Sequence, residues 1–252
     1  MRILFIGDTI GEGGCRYICD RLPYVRQKNS YDAVIINGEN SANGNGITPK
    51  SAGLLLSAGV DCITGGNHSF QRSNCSEVFE HENIIRPLNF KDAPYGNGYY
   101  IIDFVKTQLL VVNLIGTVFI DEHYNPFKAM DELLRNAPTK NIFVDFHAEA
   151  TSEKRAMAMY LAGRVSALIG THTHIPTADE QIINGTGYLT DVGMVGGKNS
   201  IIGQTVEPLL DRFVNNLKTP IKEDDEEISA NAVEIEIDEK TGKCSKINRI
   251  IF

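Results

Sequence analysis

The sequence predicts an α/β protein in which two β-sheets pack together and helices flank them. Segments rich in Val, Ile, Leu, Phe and Tyr alternate with helix-like segments along most of the 252 residues, and this alternation is typical of α/β cores. It breaks at two places, residues 99–115 and 232–252, where two strand-like segments follow each other directly. Antiparallel strands are common additions to parallel sheets, so we expect two packed sheets rather than one doubly wound sheet.

The predicted strands are apolar segments, most of which end at Gly or a polar residue. They cover residues 2–8, 33–38, 60–66, 99–103, 108–115, 141–147, 165–171 and 186–192, with a C-terminal hairpin at a sheet edge formed by 232–237 and 245–252. Helices are predicted near residues 14–28, 49–58, 71–79, 127–136, 152–163 and 204–217. The last helix has the clearest apolar face, formed by Val206, Leu209, Leu210, Phe213, Val214 and Leu217.

Composition limits the class of protein. The length suits a single domain over residues 1–252 with a large core. Five cysteines without CxxC spacing, the lack of a cleavable N-terminal signal and the lack of a long apolar segment favour a soluble cytoplasmic protein with no membrane partner. The net charge is −8 and no basic stripe is present, so duplex nucleic acid is not expected as a partner. The apolar residues of the hairpin suggest a homo-oligomer.

Potential metal ligands follow five of the predicted strands. They are Asp8, the pair Glu39 and Asn40, the pair Asn67 and His68, His147, and the pair His172 and His174. In α/β folds functional groups collect where strands end, so these side chains are expected to converge on one cleft. Oxygen and imidazole donors in one cleft predict a two-metal hydrolase. The absence of complete GxGxxG and GxxxxGK[ST] motifs argues against a dinucleotide or P-loop site.

Each of these motifs also has a simpler interpretation. A lone HxH or GNH occurs in ordinary polar loops, and Asp8 or Glu39 could be turn residues. Four of the six histidines nevertheless lie at strand ends, whereas His81 and His123 do not and are expected at the surface. His123 belongs to an insertion, residues 117–126, that could overhang the cleft. Glu149 is expected to support the site at most, and Asp179 and Asp191 either orient histidine N–H groups or cap turns.

The ordered motifs GDTIG, NGENSANGNG, GGNHSF, DFHAEATSEK, GTHTHIPTAD and TDVGMVGG span residues 7–197. Together they resemble the YmdB-type branch of the calcineurin-like metallophosphoesterases. The resemblance implies the calcineurin-like two-sheet sandwich, a dinuclear metal centre and phosphodiester hydrolysis, with 2',3'-cyclic nucleotides as the activity associated with this branch. Relative to the wider superfamily, no DxH follows the first strand, and Glu39 with Asn40 replaces the usual bridging aspartate segment.

The resemblance also implies a role for each candidate residue. Asp8, Glu39, Asn40 and His174 would hold one metal, and Glu39, Asn67, His147 and His172 the other, with Glu39 bridging. A metal-bridging hydroxide would attack a small phosphodiester or cyclic nucleotide, and His68 would protonate the departing alkoxide as general acid. The two ions would be divalent or mixed-valence. Iron is expected by resemblance, and the cysteine-free donor set also suits manganese or zinc.

Two other functions stay open at this point. The protein could work mainly as a nucleotide-responsive regulator in which hydrolysis is secondary, with the hairpin and the acidic segment 223–227 as interaction surfaces. It could also be a metallohydrolase that acts on carboxylic esters or amides.

Overall fold

Two mixed β-sheets form the centre of the molecule in the computed structural model, which describes residues 1–121 and 123–252. In chain order the strands are β1 (Arg2–Ile6), β2 (Asp8–Thr9), β3 (Ala33–Asn37), β4 (Cys62–Thr64), β5 (Tyr99–Asp103), β6 (Gln108–Ile115), β7 (Ile142–His147), β8 (Ala167–Thr171), β9 (Gln181–Ile183), β10 (Thr186–Leu189), β11 (Met194–Gly197), β12 (Ile228–Asp238) and β13 (Lys243–Ile251). The helices are α1 (Gly11–Asn29), α2 (Pro49–Ser57), α3 (Cys75–Val78), α4 (Pro126–Leu134), α5 (Thr151–Leu161) and α6 (Val206–Asn215).

The first sheet has the strand order β2-β11-β12-β1-β3-β4, and β13 pairs with β12. Strands β1, β3 and β4 are parallel, whereas β12 runs antiparallel to β1. The second sheet has the order β5-β6-β7-β8-β10-β9, in which β6, β7, β8 and β10 are parallel. The prediction of two sheets is therefore confirmed. The predicted C-terminal hairpin is present, because β12 and β13 pair as antiparallel strands. Its predicted place at a sheet edge was wrong for β12, which lies inside the first sheet.

Side chains from both sheets form an apolar layer between them, which includes Phe5 of β1 and Phe143 of β7 with ring centroids 4.8 Å apart. Helices α1 and α2 cover the outer face of the first sheet through residues such as Leu22 and Leu55. Helices α4 and α5 cover the outer face of the second sheet, where Met130 of α4 and Met157 of α5 belong to one buried cluster. Burying both faces of both sheets fixes their relative position, because close-packed cores deform little.

Several boundaries differ from the sequence prediction for physical reasons. The first strand divides at Gly7, where a Cβ would lie 1.9 Å from the carbonyl oxygen of Gly193, so β2 can leave β1 and pair with β11. Strands β9 and β11 were not predicted: β9 has only one turn-flanked group of three residues, and β11 ends in two glycines, which are depleted in strands. The helix predicted at 71–79 forms only over Cys75–Val78, as α3.

The apolar face predicted for α6 exists, but this chain covers little of it. Leu209 is buried, whereas Phe213 and Val214 are 71% and 72% exposed. In the described parts of the chain, no helix has both the length and the apolar composition that crossing a bilayer requires.

Candidate metal centre

The carboxyl ends of parallel strands from both sheets meet at one edge of the molecule. The first sheet contributes Asp8 of β2, Glu39 and Asn40 after β3, and Asn67 and His68 after β4, while the second contributes His147 of β7 and His172 and His174 after β8. Each of these eight residues has an atom within 4.0 Å of another member of the set. The structure therefore brings together the eight residues that the sequence placed at the ends of predicted strands.

Glu39, His147 and His172 form the tightest group. Their potential ligand atoms all lie within 4.8 Å of one another. The Oε1 atom of Glu39 is 3.1 Å from Nε2 of His147, and Nδ1 of His172 is 3.0 Å from the same nitrogen. Glu39 and His147 are buried, whereas His172 is half-buried at the mouth of the site. A carboxylate and two imidazoles that converge in this way can coordinate a transition metal ion.

Asp8, Asn40 and His174 form a second group beside the first. The Oδ1 atom of Asp8 is 4.0 Å from Nε2 of His174 and 3.8 Å from Nδ1 of His147. This carboxylate oxygen is buried and has no hydrogen-bond partner in the described residues. The amide nitrogen of Asn40 lies 3.2 Å from Nε2 of His174. A 180° rotation of the amide would exchange its nitrogen and oxygen, and the oxygen would then lie next to His174.

Asn67 and His68 enter the site through the turn after β4. The Oδ1 atom of Asn67 is 2.8 Å from Nε2 of His147, and the backbone N–H of His68 donates to Oε2 of Glu39 at 2.9 Å. Gly66 precedes them, and a Cβ there would lie 2.2 Å from Glu39 Oε2 and 2.5 Å from His147 Nε2. The glycine is required because two potential ligands occupy the space that any larger side chain would fill.

Burial and neighbouring charges shift the pKa values of the titratable groups in the site. Burial alone would raise the pKa of Glu39, but the imidazoles of His147 and His68 lower it to about 2. Burial would lower the pKa of His147, and the carboxylates of Glu39 and Asp8 raise it to about 9. Burial and the charge of His147 lower the pKa of His172 to about 3, whereas burial raises the pKa of Asp8. A neutral His172 keeps a lone pair for coordination, and a cation could replace the proton on His147.

Asp145 lies two residues before His147 and joins the two sheets beneath the site. Its buried carboxylate accepts hydrogen bonds from Asn37 Nδ2 at 3.0 Å, Thr64 Oγ1 at 2.6 Å and Thr171 Oγ1 at 2.7 Å. Asn37 and Thr64 belong to the first sheet, whereas Thr171 belongs to the second. Thr171 Oγ1 is also 3.0 Å from Nδ1 of His147, so it fixes the orientation of that ring. Burial raises the pKa of Asp145 to about 7.

A second buried carboxylate anchors the loop that carries His172 and His174. Both histidines have positive φ angles, 100° and 66°, which are uncommon outside glycine. Between them, Thr173 donates its backbone N–H at 3.2 Å and its hydroxyl at 2.8 Å to Oδ2 of Asp191. Lys154 of α5 donates to the same oxygen at 2.7 Å, and both partners of this ion pair are at most 1% exposed. Asp191 therefore stabilises the strained loop.

The interpretation of Asp179 and Asp191 as partners of histidine N–H groups was wrong. Among the described residues neither carboxylate bonds a histidine, and Asp179 instead accepts from Thr177 and Thr190. The alternative, that they fix turns, is correct. Backbone N–H and hydroxyl groups of the adjacent loops bind both carboxylates, and Asp191 also accepts from the ammonium of Lys154.

Lys154 was missed by the sequence interpretation, although a signal was present. It occupies the first position of the buried stripe Lys154, Met157, Ala158 and Leu161, which has helical spacing. A lysine in an apolar stripe requires a buried anion. The same helix carries Glu153, whose buried carboxylate accepts from the backbone N–H and hydroxyl of Thr117.

The structure also locates Glu149, His81 and His123. Glu149 contacts the site directly, since its Oε2 is 3.1 Å from Nε2 of His172, although the carboxylate is half exposed. His81 is exposed, as expected. His123 is not a simple surface residue, because its half-buried ring packs 4.4 Å from that of Phe90. Residue 122 of the same insertion lies outside the described residues.

The geometry defines a class of protein: a two-sheet α/β fold with a buried carboxylate and imidazole centre at its strand ends. A family model described as YmdB-like protein matches residues 4–250. A 2',3'-cyclic-nucleotide 2'-phosphodiesterase of Bacillus subtilis (strain 168) is 41% identical over 256 residues, covering 100% of this chain and 97% of that protein. This chain belongs to the YmdB-like family, which confirms the resemblance inferred from its motifs.

Solved structures agree with the assignment. The crystal structure of a novel phosphatase from Mycoplasma pneumoniae has a TM-score of 0.95 and 36% identity, covering 100% of this chain and 93% of that one. A putative 5'-nucleotidase from Staphylococcus aureus has a TM-score of 0.61 and 13% identity, covering 99% of this chain and 54% of that one. At that identity, the second likeness shows only that the two chains share a fold.

Proposed function

We propose that this chain is a metal-dependent phosphodiesterase with the calcineurin-like metallophosphoesterase fold, formed as a single domain, and that it hydrolyses 2',3'-cyclic nucleotides. The observation that carries the proposal is the convergence of Glu39, His147 and His172 within 4.8 Å in a largely buried site. The similarity to a named 2',3'-cyclic-nucleotide 2'-phosphodiesterase over the whole chain supports the substrate class. The named phosphatase structure supports phosphate ester chemistry.

The donor set fits two metal ions rather than one. Asp8, Glu39, Asn40 and His174 would hold one ion, and Glu39, Asn67, His147 and His172 the other, with Glu39 bridging. The buried Oδ1 of Asp8 lacks a hydrogen-bond partner in the described residues, which is costly unless a cation or water contacts it. Oxygen and imidazole ligands suit iron, and also manganese and zinc, of which we propose iron.

The charge of such a centre would attract phosphate to an acidic protein. Only two proposed ligands, Asp8 and Glu39, are carboxylates, so two divalent ions would leave an excess of positive charge in the site. When bound, the ions would polarise the phosphate and acidify the attacking water. The net charge of the chain is −8 and would repel an anionic substrate. The local positive charge of the two ions would outweigh this repulsion inside the site.

His68 is the proposed general acid. Its ring is half-buried, its Nε2 lies 3.2 Å from the amide nitrogen of Asn67, and its Nδ1 has no hydrogen-bond partner in the described residues. The attacking water would lose one proton to solvent, and the resulting hydroxide would attack the phosphorus of the cyclic phosphodiester. The bond from phosphorus to one ribose oxygen would break, the imidazole of His68 would donate a proton to that oxygen, and the product would be a nucleoside phosphate monoester. The backbone N–H of His68 bonds Glu39, which would hold the imidazole beside the ligands.

The His68→Ala variant tests this role. We expect it to retain its metals and to lose roughly 10²- to 10⁴-fold in kcat for 2',3'-cyclic AMP, because the ribose alkoxide is a poor leaving group. The loss should be smaller for bis-p-nitrophenyl phosphate, whose leaving group needs little protonation. His81→Ala is the matched control, since His81 is an exposed histidine outside the site. Equal losses for the two substrates would remove His68 from proton transfer.

Metal content and substrate class are tested separately. Elemental analysis of protein purified without added metal should give about two ions per chain, and Glu39→Gln should lose both because it removes the proposed bridge. A single ion, or full retention in Glu39→Gln, would contradict the dinuclear assignment. A panel of cyclic nucleotides, bis-p-nitrophenyl phosphate and a carboxylic ester then decides the chemistry. Turnover of the carboxylic ester alone would exclude a phosphodiesterase.

A further inference from the structure

The insertion after β6 is held firmly at its start. The backbone N–H and the hydroxyl of Thr117 donate to Glu153 Oε1 at 2.9 and 3.0 Å, and the N–H of Val118 donates to Oε2 at 3.3 Å. Glu153 is 7% exposed, so one buried carboxylate accepts three hydrogen bonds from two successive loop residues. Hydrogen bonds to a charged acceptor are stronger than those between neutral groups.

The other end of the insertion is fixed to the segment before the second sheet. The N–H of Tyr124 donates to the carbonyl of Asn89 at 3.0 Å, and the side-chain amide of Asn89 donates to the carbonyl of Tyr124 at 2.7 Å. The ring of His123 packs against Phe90. These contacts hold the described residues on either side of residue 122 beside the metal centre, where residues 119–121 line a cavity with two of the proposed ligands.

Phe119 lies between these anchors and is 86% exposed. Its φ angle is +62°, a left-handed backbone conformation that is strained for a bulky side chain. It lines a cavity of about 350 Å³ together with Asn67, His172, Ile120 and Asp121. That volume is at the small end of ligand sites. An exposed aromatic ring therefore shares a cavity with two of the proposed metal ligands.

We propose that Phe119 forms the stacking surface for the base of the nucleotide substrate. The inference rests on the proposed function, because it needs the phosphate at the metal end of the cavity, beside Asn67 and His172. The carboxylate of Asp121, which also lines the cavity, repels phosphate, so the part of the cavity away from the proposed metal ligands is left to a neutral group. A base has an apolar face, and its stacking on an aromatic side chain is worth about 5- to 100-fold in binding.

Kinetics with and without a base test the proposal. We compare 2',3'-cyclic AMP with glycerol 1,2-cyclic phosphate, which has the same five-membered phosphodiester ring and no base. Phe119→Ala should lower the ratio of their kcat/KM values by roughly 5- to 100-fold, mainly through the KM of the nucleotide. Phe119→Tyr should restore the ratio, whereas Val118→Ala, an apolar neighbour outside the cavity lining, should leave it unchanged. An unchanged ratio in Phe119→Ala overturns the proposal.

A second readout does not depend on turnover. The chain contains no tryptophan, so Phe119→Trp introduces a single tryptophan, whose fluorescence can be excited apart from that of the nine tyrosines. Stacking predicts saturable quenching by adenosine 3'-phosphate and none by inorganic phosphate. Absence of quenching, while adenosine 3'-phosphate inhibits the same variant, overturns the proposal. If wild-type protein hydrolyses neither cyclic substrate, the proposed function fails as well, whereas hydrolysis of both with an unchanged ratio removes only the role of Phe119.

Discussion

The buried ion pair between Lys154 and Asp191 holds the loop of His172 and His174, and breaking it should destabilise the protein strongly. Its Nζ to Oδ2 distance is 2.7 Å, and the two side chains are 0% and 1% exposed. Removing one partner of a buried pair typically costs about 3–5 kcal/mol, because the other charge stays buried without compensation. For a chain of this length, that corresponds to a fall in Tm of roughly 6–20 °C.

The two single substitutions should not be equivalent. In Lys154→Met the carboxylate of Asp191 keeps its bonds from Thr173 and from the N–H of Gly193, so we expect the lower end, about 3 kcal/mol. In Asp191→Ala the ammonium of Lys154 loses the carboxylate and Thr173 loses its acceptor, so we expect about 5 kcal/mol. The double variant should be at least as stable as Asp191→Ala, because it removes the isolated ammonium.

Urea unfolding of chelator-treated protein measures these differences without a contribution from bound metal. Lys128→Met, which replaces an exposed lysine of α4, is the matched control and should change stability by at most about 0.5 kcal/mol. Metal titration of the folded variants should show that Asp191→Ala binds metal about 10- to 100-fold more weakly, because the loop is released. Additive losses in the double variant, or a loss below about 1 kcal/mol for Lys154→Met, would refute the reasoning.

Two further predictions concern the metal-free and metal-bound states. Because the pKa of His147 is raised from 6.5 to about 9, its stabilising contribution is complete below pH 6.5 and is lost as the pH rises through 9. Urea unfolding of chelator-treated protein should show this loss, of order 3 kcal/mol, and His147→Gln should lack it. Adding Mn²⁺ at 100 times the Kd of each proposed site should raise stability by about 2.7 kcal/mol per occupied site, which corresponds to a Tm increase of roughly 5–10 °C per site, and a normal increase in Glu39→Gln would contradict Glu39 as a ligand.

The candidate site could be predicted from the sequence because its residues follow strands. A strand that ends in a polar residue places that residue at a sheet edge, and parallel strands place such residues at the same edge. Asp8, Glu39 and His147 obeyed this rule although they are far apart in the chain. The rule needs only local patterns, namely an apolar segment and the residue after it, and these are visible without knowing how the strands are ordered.

Features that depend on distant pairing could not be predicted in the same way. The position of β12 between other strands depends on its register with β1, which pairs Ile3 with Ile235. Nothing near residue 235 in the sequence specifies that partner. The buried pair of Lys154 and Asp191 is similar, since the lysine alone signals only that an anion must be near, and the anion is 37 residues away.

The two sheets divide the proposed ligands by chemistry. All the oxygen donors, Asp8, Glu39, Asn40 and Asn67, come from the first sheet, and all the imidazole ligands, His147, His172 and His174, come from the second. Neither sheet alone would hold a dinuclear centre, so the distances within the site depend on how the sheets pack. The Phe5 and Phe143 contact and the bonds of Asp145 to both sheets set that packing. Because close-packed interiors transmit small displacements, substitutions in this layer should weaken metal binding before they unfold the protein.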